Sequence, residues 1–256
     1  MLGYLLARGD VNVTVLEKHE DFFRDFRGDT VHPSTLEVLY ELDLLDEFLK
    51  LPHQRVTSTW GNIGDSPIQG PDFQHVPTHC KFVALMPQWH FLNFLSQQAK
   101  SFPNFDLRMG HEAIDLIRER GRIAGVFVRR SGQPDLHVRA DLVVGCDGRH
   151  SVIRKAAQME LLEIGAPIDV LWFRITQKPG DPKQVLGNVN FGKALILIDR
   201  TEYFQAGMII RKGSFEEIKD CGLDAFRPSI VQVAPISRIV WKSYETGTRS
   251  RYSRCN

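Results

Sequence analysis

Asp147 and Gly148 end an apolar run, and the residues around them carry the most chemistry in the chain: Leu142-Val143-Val144-Gly145-Cys146-Asp147-Gly148-Arg149-His150-Ser151-Val152-Ile153-Arg154. An Asp where a buried strand meets solvent can accept hydrogen bonds from a bound polar ligand. The Gly lets the backbone turn sharply or approach that ligand closely. Ser151 and Arg154 follow at short offsets. Open α/β sheets bind ligands at the carboxyl ends of their strands, which is where such a segment belongs.

A second carboxylate, Glu17, ends the alternating run Val11-Asn12-Val13-Thr14-Val15-Leu16-Glu17, shortly after a helical stretch that contains Gly3. In dinucleotide-binding folds the acid at the end of the second strand accepts hydrogen bonds from ribose hydroxyls. A solvated strand terminus is the bland alternative. Arg24 and Arg27 lie in Phe23-Arg24-Asp25-Phe26-Arg27-Gly28-Asp29. An Arg beside Gly can present its fork to a phosphate, or it can pair with a neighbouring Asp. Gln88 opens an amphipathic segment, and its amide there could meet a ligand near a helix N-terminus. His32, His53, His75, His79, His90 and His150 show no metal-ligand spacing. Pro77 between His75 and His79 argues against a shared helix face, so no metal site is expected.

These groups need elements to hold them. Residues 1–8 read as the end of a helix stopped by Gly9-Asp10, and residues 11–17 as a strand. Helix then strand is half of a βαβ unit; parallel sheets are built from whole units, so the chain is expected to be truncated at its start. Pro33 suits a first helical turn, and the leucines at 36, 39, 42, 45 and 49 predict one helix over 34–50. Residues 52–80 read as a long excursion with short strands, and 87–100 as a second amphipathic helix. Three β segments follow at 106–118, 122–130 and 136–144, the last leading into Asp147. Antiparallel strands are expected at 170–176, 185–191, 194–199 and 203–210, with turns at 192–193 and 200–202 and a helix at 214–221. The polar stretch 238–256 reads as a disordered tail.

The chain has 256 residues, 43% of them hydrophobic and 25% charged, with a net charge of +1. That is a globular composition with nothing to steer it toward nucleic acid. No apolar run is long enough to span a bilayer, and the short apolar start lacks the basic region of a signal peptide. Cys80, Cys146, Cys221 and Cys255 are scattered, with no C-x-x-C pair. A disulfide framework is therefore not expected, and a reducing cytoplasm is. Trp60, Trp89, Trp172 and Trp241 are candidate pocket walls, although aromatic residues more often fill cores.

The order of these features resembles the flavoprotein aromatic hydroxylases, the p-hydroxybenzoate hydroxylase type of FAD-dependent monooxygenase. The resemblance covers residues 1 to about 235. It is close at Val-Leu-Glu-Lys (15–18), at Arg-Gly-Asp-Thr-Val-His-Pro-Ser-Thr-Leu-Glu (27–37) and at Gly-Cys-Asp-Gly-Arg-His-Ser-Val-Ile-Arg (145–154). It implies an α/β fold: a Rossmann-like FAD-binding sheet lacking its first strand, with a β-meander and a second, antiparallel-sheet substrate domain. The FAD-binding domain would comprise 1–51 and 81–160, the substrate domain 52–80 and 161–237. Glu17, with Lys18 beside it, would bind the adenosine ribose of FAD. Arg27 would lie near the pyrophosphate and Gln88 near the ribityl or flavin region. Asp147, Gly148, Ser151 and Arg154 would serve both FAD and NAD(P)H. The activity implied is hydroxylation of an aromatic or related small organic substrate with NAD(P)H and O2; no catalytic residue is assigned.

Two family features are expected to be missing: the G-x-G-x-x-G loop with its strand, and a later Gly-Asp motif. An isolated chain is then expected to bind FAD poorly or not at all. Three alternatives stand beside this reading. One is a truncated or accessory protein without cofactor or activity. Another is a halogenase or isoprenoid reductase of the same fold, disfavoured for the halogenase by the lack of W-x-W-x-I-P. The third is a plain NAD-dependent dehydrogenase.

Overall fold

A computed structural model describes residues 1–23, 30–162, 164–177, 186–190, 192–200 and 203–233. In chain order the elements begin α1 (Leu2–Arg8), β1 (Val13–Glu17), β2 (Thr30–Val31), α2 (Pro33–Glu41) and α3 (Leu45–Phe48). Next come β3 (Gln54–Val56), β4 (Ser58–Ile63), β5 (Ser66–Asp72), β6 (Val83–Leu85) and α4 (Gln88–Ala99). Then follow β7 (Phe105–Met109), β8 (Glu112–Glu119), β9 (Arg122–Arg129), β10 (Leu136–Arg139) and α5 (Val152–Ala156). Last are β11 (Ile168–Thr176), β12 (Leu186–Asn190), β13 (Lys193–Asp199), β14 (Tyr203–Arg211) and α6 (Phe215–Val233). The fold is mixed α/β, and the chain divides into two compact units: 1–24 with 88–164, and 25–87 with 165–256.

The first unit is built on a parallel pair, β1 with β7, in the register Val13↔Phe105 to Glu17↔Met109. α1 lies close because Gly3 has no side chain: a Cβ there would come within 2.8 Å of Val15 Cγ2. Tyr4 meets Phe102 edge to face, with ring centroids 5.4 Å apart. The Asn104 amide donates to the carbonyls of Ala7 (2.9 Å) and Val11 (2.8 Å), tying the end of α1 to the residue just before β7. β8, β9 and β10 form an antiparallel meander. Leu116, Val126 and Val128 are its buried core, and Leu16, Val143 and Ile153 pack against it.

The second unit carries a six-stranded sheet in the order β11-β14-β13-β12-β4-β5, with β12 and β4 parallel, and a small sheet ordered β2-β6-β3. One face of the large sheet buries Leu195, Leu197, Phe204, Ala206 and Met208 together with Phe226 and Ile230 of α6. α6 is kinked at Gly222, where φ is +78°.

The structure departs from the sequence reading in five places. The helix expected over 34–50 is α2 and α3, broken where Asp43 adopts φ +60°. The strand expected over 106–118 is β7 and β8, separated at Gly110 with φ +68°. The strand expected over 136–144 stops at Arg139: among the described residues Leu142–Cys146 have no ladder partner, and Leu142 is 78% exposed. The helix expected over 214–221 continues to Val233. Residues 30–51 and 81–87, grouped by sequence with the first domain, cluster with the second unit, since β2 pairs with β6 and β6 with β3. Arg24, Arg27, Thr201, Glu202, Trp241 and the tail 238–256 lie outside the described residues.

Candidate functional site

Asp147 is held by the chain itself. One carboxylate oxygen accepts from the Ser151 hydroxyl, and the other from the backbone N–H of Val152 (2.6 Å) and Ile153 (3.2 Å). The buried Ser151 is the N-cap of α5, its hydroxyl oxygen accepting from Arg154 N–H at 2.9 Å. Asp and Ser thus cap one short helix together, the usual duty of such residues at helix starts. Partial burial pushes the Asp147 carboxyl up. Hydrogen bonds from Ser151 and from the backbone of Ile153, Asp147 and Val152 outweigh it and hold the carboxyl below its ordinary value.

Gly148 makes the turn between them at φ +83°, a region that favours glycine, and a Cβ added there would meet none of the described residues within 4 Å. Its carbonyl accepts from Ser151 N–H at 3.1 Å. The Arg154 guanidinium reaches back to the Arg149 carbonyl at 2.6 Å. Four of the residues selected from the sequence, Asp147, Gly148, Ser151 and Arg154, therefore form one hydrogen-bonded turn.

Glu17 is the last residue of β1, at the carboxyl end of the parallel pair, and its Oε1 accepts from His19 N–H at 3.0 Å. Lys18 follows in the exposed bend. Leu16, immediately before Glu17, packs in the same cluster as Val143 and Ile153, which flank the Asp147 turn. The strand end and the turn thus rest on one support. The amino group of Met1 interacts electrostatically with Cys146; burial lowers its pKa more than Cys146 raises it. This sets the start of α1 beside the same segment. Gln88 stands apart, opening α4, which packs on α1. Beside it, Trp89 meets Phe23 with ring centroids 4.8 Å apart. The partnership with Phe23 was invisible in sequence because 66 positions separate the two residues.

The mixed α/β fold has counterparts among solved structures. It superposes with TM-score 0.76 on CmlS, a flavin-dependent halogenase, at 18% identity over 94% of this chain and 44% of that one. It superposes with TM-score 0.71 on p-nitrophenol 4-monooxygenase PnpA from Pseudomonas putida, at 16% identity over 90% and 58%. The chain belongs to the FAD binding domain family, which matches residues 1–228. It is 31% identical over 181 residues to 6-methylpretetramide 4-monooxygenase of Streptomyces rimosus, covering 68% of this chain and 42% of that protein. It is 28% identical over 169 residues to the probable NADH-specific resorcinol 4-hydroxylase of Rhodococcus jostii, covering 64% and 31%. The chain thus spans less than half the length of these curated relatives.

A strand-end carboxylate and a closely packed helix–strand pair are features with which dinucleotide-binding folds take up a ribose, and Glu17, α1 and β1 supply them here.

Proposed function

We propose that the chain is the FAD-binding and substrate-carrying part of a flavin-dependent monooxygenase that hydroxylates an aromatic or related small organic substrate, with NAD(P)H as reductant and O2 as oxidant. The observation that carries the reading is the position of Glu17 at the carboxyl end of β1, in a chain matched over residues 1–228 by the FAD binding domain family. The named relatives support the aromatic substrate, and one of them supports NADH. The family match also weighs against a protein that has lost its cofactor.

In this reading Glu17 accepts hydrogen bonds from the adenosine ribose, with Lys18 beside it. Arg27 serves the pyrophosphate and Gln88 the ribityl–flavin region. Asp147 acts by position. The chain's own donors occupy three of a carboxylate's roughly four acceptor sites. Direct contact with the nucleotide then falls to the backbone at Gly148 and to Arg154. Bound FAD supplies the redox chemistry that passes electrons from NAD(P)H to O2, and the protein positions and shields it. No helix among the described residues is long and apolar enough to cross a membrane; we place the protein in the cytoplasm, which the scattered cysteines support.

The test is NADH or NADPH oxidation with excess FAD and a panel of phenols, scored by hydroxylated product. Product that depends on both FAD and the phenol supports the reading. A product formed only with halide present would favour a halogenase instead.

A further inference from the structure

We propose that Arg130 and His111 read the base of the bound nucleotide, one donating and the other accepting a hydrogen bond, and so make the first unit selective for adenine. The inference rests on the flavin reading above and deepens it.

The meander brings the two residues together at the carboxyl end of β1. The ladder between β8 and β9 ends at the pair Glu112↔Arg129, so His111 and Arg130 stand opposite one another just beyond it. Ala113 of β8 and Leu16 of β1 both pack against the cluster that contains Val126 and Val128 of β9. Side chains alternate along a strand, so His111 and Arg130 fall on that same side. Glu112 and Arg129 fall on the other. Both are exposed, and Arg129 pairs with Asp135 at 3.5 Å. The backbone N–H of His111 donates to the Glu17 carbonyl at 2.9 Å, which fixes the pair beside the residue proposed to take the ribose.

Each side chain is set up for a partner of its own kind. Arg130 Nε is buried and has no acceptor among the described residues. Buried polar groups are almost always hydrogen-bonded, so an orphaned donor calls for an acceptor from elsewhere. His111 Nδ1 lies 2.7 Å from the Met109 carbonyl. A carbonyl can only accept, so Nδ1 carries the hydrogen. Nε2 of the neutral ring is then an acceptor.

A donor and an acceptor side by side define the ligand. Adenine presents an amine that donates beside a ring nitrogen that accepts. Guanine has a carbonyl oxygen in place of that amine. Hypoxanthine has the same oxygen, and it would face the lone pair of His111 Nε2. A phosphate offers acceptors alone and would meet that lone pair too. Adenine matches both side chains, and in a dinucleotide it is carried by the ribose assigned to Glu17.

The experiment is equilibrium dialysis of the full chain with AMP and with IMP, for the wild type, for Arg130→Met and for Arg122→Met at the exposed turn between β8 and β9. Competition by inorganic phosphate, FAD binding followed by flavin fluorescence, and thermal melting are recorded in parallel. The wild type is expected to hold AMP about tenfold more tightly than IMP. Arg130→Met should lose that preference and bind FAD about tenfold more weakly, while Arg122→Met should match the wild type. A merely structural role for Arg130 would weaken AMP and IMP alike. If Arg130→Met does not fold, His111→Phe carries the test and should lose the same preference. No AMP binding in the wild type, equal affinity for AMP and IMP, displacement of both by inorganic phosphate, or a preference that survives the substitution overturns the proposal. An AMP preference that depends on Arg130 without any FAD binding would sink the flavin reading alone; FAD binding without an AMP preference would sink this inference alone.

Discussion

Asp147 is the residue at which sequence and structure assign different duties to the same side chain. Its place after an apolar run suggests a ligand acceptor, yet its carboxylate caps α5 with Ser151. The consequence for pH has a definite sign. A carboxyl held below its ordinary value contributes stability that is present above the unfolded-state value, about 3.9, and is lost as the pH falls through the folded-state value. Melts of the chain and of Asp147→Asn should therefore differ by a constant amount near neutrality, and the gap should shrink below about pH 4. A gap unchanged at pH 3 would mean that the capping bonds do not depend on the charge. Ser151→Ala removes the N-cap and should cost about 1 kcal/mol in denaturant unfolding.

At the scale of elements, β1 was legible because Val11, Val13 and Val15 alternate with the polar Asn12 and Thr14 in a β-branched run. α1 and α4 were legible from their apolar spacing and their stops. β4 and β5 were not assigned to the large sheet. Gly61, Gly64, Pro67 and Gly70 read as part of an excursion with short strands; β4 and β5 pair with each other, and the pairing of β4 with β12, some 126 positions away, joins them to the large sheet. Gly61→Ala should thus separate β4 from β12 and cost about 1–3 kcal/mol in chemical denaturation. The division of 34–50 into two helices was hidden because leucines continue through the break at Asp43. The Asp147 turn was found from its residues, but the strand expected before it was not formed. A strand needs a partner for its N–H and C=O groups, and Leu142–Cys146 have none among the described residues. Their amides should exchange with deuterium far faster than those of Val126 and Val128 in β9, and equal protection would refute the description of this segment.

The whole chain divides into two compact units. The residues proposed to serve the nucleotide that the structure describes, Glu17, Lys18, Gln88, Asp147, Gly148, Ser151 and Arg154, all fall in the first unit. The central claim is that the first unit takes FAD through the carboxylate at the end of β1. Titration of FAD followed by flavin fluorescence, comparing the wild type with Glu17→Gln and with Glu41→Gln on the exposed side of α2, tests it most directly. Gln keeps an oxygen for the bond from His19 and loses the charge toward ribose, so the substitution spares the local fold. The account predicts weak, saturable quenching in the wild type and in Glu41→Gln, and about tenfold weaker binding in Glu17→Gln. Equal affinity in all three proteins, or no saturable quenching in the wild type, would contradict it.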